Sequence, residues 1–344
     1  MRNIWLVLLL LASGAAQAAS FDCSKAKTPQ EKAICASPEL SKADEEMAAA
    51  YKDVLAAVPQ EIAVEVREDQ RQWLRWIAVE CPASENTGES ERRETLAECL
   101  LRNYRSRTEE LQHMILREGG VTFISRSINL TWPDAPGESP GSEEVHGYGT
   151  MKATWPQSIN DTAEWKAWNK AVEAAAQNLA AIPDGESSPS GKWLEKWAAD
   201  GDFEVSATIG LVSQELVTAS IGLEGMGHGA AHPNEAGIEF NWLLKEKREI
   251  RPEDVFRKDS DWEKTIEARC AKELQQPDAG LYDNWEKALP KVVLDSRNWE
   301  LKGEGLTIDF PEYTVAPRVS PVGPVTIPWE DLKPLLQPGF AIPK

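Results

Sequence analysis

Five cysteines and four histidines are the residues of this chain best suited to covalent or metal chemistry. Cys23, Cys35, Cys81 and Cys99 cluster toward the N-terminus, and Cys270 stands apart. Such thiols can bind a metal, act as nucleophiles or oxidise to disulfides, and the compartment decides between these fates. The zinc reading is weak, because no C-x-x-C occurs and His113 is the only histidine near the four. The compartment is written in the first residues. Arg2, the apolar run Ile4 to Ala12 and the small-residue site Ala16-Gln17-Ala18 form a cleavable secretory signal over residues 1–18. That run is too short to cross roughly 30 Å of hydrocarbon, and no second run of membrane length follows. A soluble, periplasmic protein is expected. In an oxidising compartment the four cysteines read as a disulfide framework with three possible pairings. Cys23–Cys35 and Cys81–Cys99 are favoured, because each closes a short local loop. Cys270 reads as a buried thiol.

The remaining chemistry is sparse. His228 and His232 stand four apart, but Gly225, Gly227, Gly229 and Pro233 make a helix improbable there, and no glutamate lies between them. The metalloprotease pattern therefore fails, and a tight loop between strands is the better reading. There is no G-x-S-x-G elbow, phosphate loop or dinucleotide fingerprint. Carboxylates abound, yet a catalytic pair is invisible without spatial proximity. The chain reads as a non-enzyme, with no metal and no cofactor.

Asp and Glu number 56 against 37 Lys and Arg, a formal charge of −19. That excludes a nucleic-acid binder, which needs a basic face, and permits a basic partner. The elements that hold these residues fall into two grammars. Residues 20–118 read as an all-α bundle. Ser37-Pro38 starts a helix bearing Leu40, Ala43, Met47, Ala50, Tyr51 and Val54 on one face. A second helix starts near Gln60 with Ile62, Val66, Trp73 and Ile77. A third runs from about Ser90 through Leu96, Leu100, Tyr104, Leu111 and Ile115, and Gly119-Gly120 ends the helical half. Residues 119–344 carry 11 of the 14 Trp. They read as an α+β domain with a mainly antiparallel sheet: strands near 121–132, 150–155, 203–211, 215–223, 237–244, 306–310 and 325–327, and helices near 162–182, 260–274 and 329–336. The charge divides as −6 for 20–118 and −14 for 119–344.

Two family resemblances follow from longer stretches. Phe21-Asp22-Cys23, Glu31 to Cys35, Leu40, Gln70-Arg71-Gln72-Trp73-Leu74, Cys81, Cys99-Leu100 and Arg107 to Leu111 make the first half resemble the LprI-type domain, named for a bacterial lysozyme inhibitor. Ile77-Ala78 stand where relatives carry Arg-Asp. The second half resembles the C-terminal domain of RsiV-type anti-sigma factors, an extracytoplasmic lysozyme receptor. That resemblance rests on Tyr148 to Ile159, the Gly-Ala-Ala-His-Pro stretch ending at Pro233, Ile250, Pro252 to Phe256, Leu306 to Pro317 and Val325 to Trp329. Arg318 stands where relatives place an aromatic.

Both resemblances imply a lysozyme partner. They predict an exported protein that binds, and blocks, a basic C-type lysozyme, steered to it by opposite charge. The expected contacts are loops 224–235 and 312–324, with His228, His232, Asn234, Glu312, Tyr313 and Arg318 as the candidate residues. The alternatives are a peptidoglycan-associated envelope scaffold and a wall-acting enzyme.

Overall fold

A computed structural model describes residues 19–83, 95–133, 148–180, 201–227, 230–276 and 278–343. The secretory signal and His228 lie outside the described residues, as do residues 134–147 of a loop expected at 133–149 and all of one expected at 183–191; Pro133, Tyr148 and Gly149 belong to strands instead. The chain divides into two compact units. One takes in residues up to Val58 together with Leu74–Met114, and the other Pro59–Trp73 together with Ile115 onward. Among the described residues no helix is long and apolar enough to cross a membrane.

The first unit is helical because its caps and its apolar spacing agree. Thr28 caps α1 (Pro29–Ala36), its hydroxyl accepting from Glu31 N–H while the Glu31 carboxylate returns the bond. Ser37 caps α2 (Pro38–Ala57), which opens on Pro38, where the missing N–H costs nothing. α3 (Gln60–Glu80) contributes Leu74–Glu80 here and Gln60–Trp73 to the second unit. A second reciprocal box, Thr95 with Glu98, starts α4 (Leu96–Gln112). Ile34, Leu40, Met47, Val54, Ile77, Leu100, Tyr104 and Leu111 are buried, and α2 packs along α4. Cys23 is bonded to Cys35 and Cys81 to Cys99.

The expected third helix stops short. Ile115 opens a strand, β1 (Ile115–Glu118), paired with β2 (Val121–Pro133). Gly119-Gly120 is therefore a hairpin turn and not the end of a helix. Both glycines have positive φ, 55° and 77°, which a two-residue turn of this kind demands. At Gly119 there is a second reason, since a Cβ would lie 2.4 Å from the Val212 carbonyl oxygen. The apolar i, i+4 step from Leu111 to Ile115 fits a helix and the outset of a strand equally, so periodicity alone misplaced the boundary.

In the second unit, β3 (Tyr148–Ser158), α5 (Ala163–Ala180), β4 (Gly201–Val212), β5 (Leu216–Gly227), β6 (Asn234–Leu243) and β7 (Arg248–Glu249) complete a seven-stranded sheet in sequential order. Every pair is antiparallel except β3 with β4, which α5 joins as a crossover. The Trp165, Trp168, Val172, Ala176 and Leu179 stripe of α5 covers one sheet face, against Met151, Val205, Ile221 and Phe240. After α6 (Pro252–Val255), α7 (Trp262–Leu274) and α8 (Trp285–Val293), a second sheet forms in the order β10-β9-β8. Its strands are β8 (Trp299–Leu301), β9 (Gly305–Ile308) and β10 (Val325–Pro328), and α9 (Trp329–Leu332) follows. The core of this part is aromatic. Phe256 stacks on Trp262 at 4.8 Å, and both meet the fully buried Trp299 edge-on.

Candidate functional site

β5 and β6 form a long hairpin arm, in register from Leu216↔Leu243 to Gly225↔Asn234. On the sheet face away from α5, cross-strand neighbours run Glu224 with Glu235, Gly222 with Gly237, and Ser220 with Glu239. The two glycines leave a floor without side chains, and a Cβ on Gly222 would meet nothing within 4 Å. The opposing wall comes from Asp309–Glu312 and Val322–Pro324, and the groove between encloses about 420 Å³. Glu235, Glu239, Asp309 and Glu312 line it, and among the described lining residues the one cation is Arg297, which is bound to Asp295.

Burial perturbs two of these acids. Burial pushes the Glu239 carboxyl up to about 7, with Asp309 and Glu300 adding repulsion, while a hydrogen bond from Ser220 and the charge of Lys302 work the other way. Burial, and then Glu300, raises Asp309 above the usual carboxylate range. Two acids in one groove thus bind protons more tightly than they would in water.

Two of the candidate residues, Arg318 and Glu312, meet. The Arg318 guanidinium donates to the Pro233 carbonyl and pairs with Glu235, and its Nε stands 3.3 Å from Glu312 Oε1. The loops 224–235 and 312–324 are therefore pinned to one another by Arg318. Glu312 Oε2 is buried without a partner among the described residues. Tyr313 is half exposed and holds φ at +61°, a left-handed conformation that bulky side chains rarely adopt. Val319, further along the same loop, is 93% exposed. His232 is exposed, and its Nδ1 lies 3.0 Å from Pro233 O, a contact within its own turn. Asn234 is exposed at the start of β6. Glu239 and Asp309, which the groove joins to this cluster, have no local signature in the sequence. The only hint is the alternation Glu235-x-Gly237-x-Glu239, which a strand places on one face.

In the first unit the polar interior surrounds the second disulfide. The Asn103 amide donates to the Cys99 carbonyl at 3.0 Å and lies 3.6 and 3.7 Å from the two sulfurs. Arg107, 1% exposed, pairs with Glu110. Cys270 is free and fully buried, and burial pushes its thiol up to about 12, far from the range of a reactive thiolate. Among the described residues no three His, Cys, Asp or Glu gather as a metal site requires.

Comparison with known proteins is uneven along the chain. No curated protein matches. Among solved structures, partial similarity is found to a member of the DUF3298 family from Bacteroides fragilis NCTC 9343 and to a DUF3298 family protein from Pseudomonas aeruginosa PAO1. The first is 16% identical, with 65% of this chain and 96% of that one covered and a TM-score of 0.44. The second is 14% identical, with 63% and 95% covered and a TM-score of 0.44. The helical, disulfide-bonded stretch is matched by a family model instead: residues 23–111 fit the family described as Lysozyme inhibitor LprI.

Proposed function

We propose that this protein is exported and binds lysozyme-type muramidases, inhibiting them by occlusion and performing no chemistry of its own. The observation that carries this reading is the fit of residues 23–111 to a lysozyme inhibitor family. Three further features support it. The second half has its own sequence resemblance to a lysozyme receptor. The acid excess suits a basic partner and would raise the association rate. Arg318 holds loops 224–235 and 312–324 together, with Tyr313 and Val319 exposed beside them as apolar anchors of the kind that set affinity. On this reading Glu312, Tyr313, Arg318, Asn234, His232 and His228 belong to the contact surface, and the two disulfides suit a periplasmic location.

The test is the clearing of a turbid cell-wall suspension by a basic C-type lysozyme, with the purified mature protein titrated in. Inhibition at micromolar or lower concentration, accompanied by a complex on a sizing column, is expected. Undiminished clearing together with separate elution at low salt would remove the proposal.

A further inference from the structure

The edge of β6 is open where the acidic groove begins. The hydrogen-bond phase of this strand is fixed at two points. Leu244 N–H donates to Glu215 O at 2.8 Å, so the even-numbered residues of β6 face β5. Ile250 N–H donates to Asn241 O at 2.7 Å, so the odd-numbered residues face outward. β7 covers only Trp242 and Leu243. Beyond Asn241 the outward residues are Glu239, Gly237 and Glu235, and among the described residues no hydrogen bond reaches their outward backbone groups. The next outward carbonyl, that of Pro233, is taken by Arg318. The edge is thus closed at both ends and open for about 14 Å between, at 3.4 Å per residue.

An open edge of this kind is a template for another strand. Its side chains decide which. A second copy of the edge would set Glu235 and Glu239 against their own kind, which like-charge pairing across strands disfavours. A strand with Lys or Arg on alternate residues would meet Glu235 and Glu239 on one side and Asp309 on the other, over a floor left clear by Gly222 and Gly237. We infer that the β6 edge and the acid-lined groove beside it bind an extended, basic peptide segment by strand addition, with backbone hydrogen bonds to Glu235, Gly237 and Glu239. Glu312 is common to this groove and to the proposed lysozyme contact, but a peptide probe contains no lysozyme, so the two readings fail separately.

The probe is a fluorescent decapeptide of alternating Lys and Thr, added to the mature protein at pH 8 and low salt. Two other peptides accompany it: the same sequence with every backbone amide N-methylated, and an alternating Glu-Thr peptide. The Lys-Thr peptide is expected to bind in the micromolar range, the N-methylated form at least tenfold more weakly, and the Glu-Thr form not at all. The double variant Glu239→Gln/Asp309→Asn should weaken binding at least tenfold without lowering the melting temperature, because both acids are disfavoured by burial. Hydrogen exchange at Gly237 and Glu239 should slow when the Lys-Thr peptide is present. Equal binding of the N-methylated peptide would reduce the effect to charge and overturn strand addition. Unchanged binding by the double variant would place the peptide elsewhere, and absence of binding would overturn the proposal outright.

Discussion

Glu239 shows how one side chain can cost the fold something. Its carboxyl is driven up to about 7 from an ordinary value of 4.5, first by burial and then by Asp309 and Glu300. Below pH 4.5 the group is neutral in both folded and unfolded chains, and nothing is lost. As pH rises from 4.5 to 7 the unfolded chain ionises while the folded chain keeps its proton, so stability falls across that window. Above 7 the cost is constant. Glu239→Gln is neutral throughout. It should therefore match the native protein at pH 4 and exceed it at pH 8 by about 1–2 kcal/mol, allowing for screening of a partly exposed group. Urea unfolding at pH 4, 6 and 8 measures this, and a difference independent of pH would show that the carboxyl is not held up by its surroundings. A residue that destabilises its own fold at neutral pH, and is kept in an acid-lined groove, is of the kind expected where a cation is to be received.

At the scale of elements, α3 is tied to the sheet around one arginine, with Gln157 Nε2 also donating to Glu65 at 2.8 Å. Arg126 of β2 grips Asp69 with Nε at 2.7 Å and Nη2 at 3.0 Å, and its Nη1 reaches Glu65 at 2.7 Å and Gln157 of β3 at 2.8 Å. The Asp69 side chain is 4% exposed and that of Arg126 14%, so neither charge has water as a substitute partner. Arg126→Met leaves two carboxylates without their cation and should cost about 3–5 kcal/mol. Replacing both charges, with Arg126→Met and Asp69→Leu, should recover more than half of that loss, whereas Glu65→Gln alone, at a more exposed site, should cost under about 1 kcal/mol. Denaturant titration of the three variants checks the order, and a double variant no better than the single one would mean that packing, and not the stranded charge, sets the cost. The same arginine marks what sequence can and cannot tell. The helices were readable because Thr28, Ser37 and the apolar spacing of Leu40 to Val54 act within a few residues of one another. The strands were readable from alternation and from their turn residues. The allegiance of residues 59–73 to the second unit was not, because Asp69 and Arg126 are 57 residues apart and nothing local links them. The groove is hidden for the same reason: Glu239 and Asp309 meet only after β8 and β9 have folded. Arg318 spans Glu312 and Glu235, which lie 77 positions apart in the chain, so nothing local announces that contact either.

For the whole molecule the charge is large but uneven, −14 on residues 119–344 against −6 on residues 20–118. Long-range fields act on the approach of a partner more than on the strength of the final contact, because rim charges are screened while buried apolar anchors are not. An acidic protein meeting a basic lysozyme should therefore show its charge in the association rate. Between 10 mM and 500 mM salt the Debye length shrinks from roughly 30 Å to a few ångströms, and the association rate constant should fall at least tenfold. On the proposed contact, with Tyr313 and Val319 as its anchors, dissociation should change by no more than about threefold. Surface-immobilised lysozyme with the mature protein in flow separates the two rates. A salt effect confined to dissociation would mean that the ion pairs are themselves buried at the contact, and the anchors would have to be sought among Arg318, Glu235 and Glu312. Association indifferent to salt would leave the acid excess as a property of solubility alone. Recognition of a lysozyme would then have to come from the disulfide-bonded helices of residues 23–111.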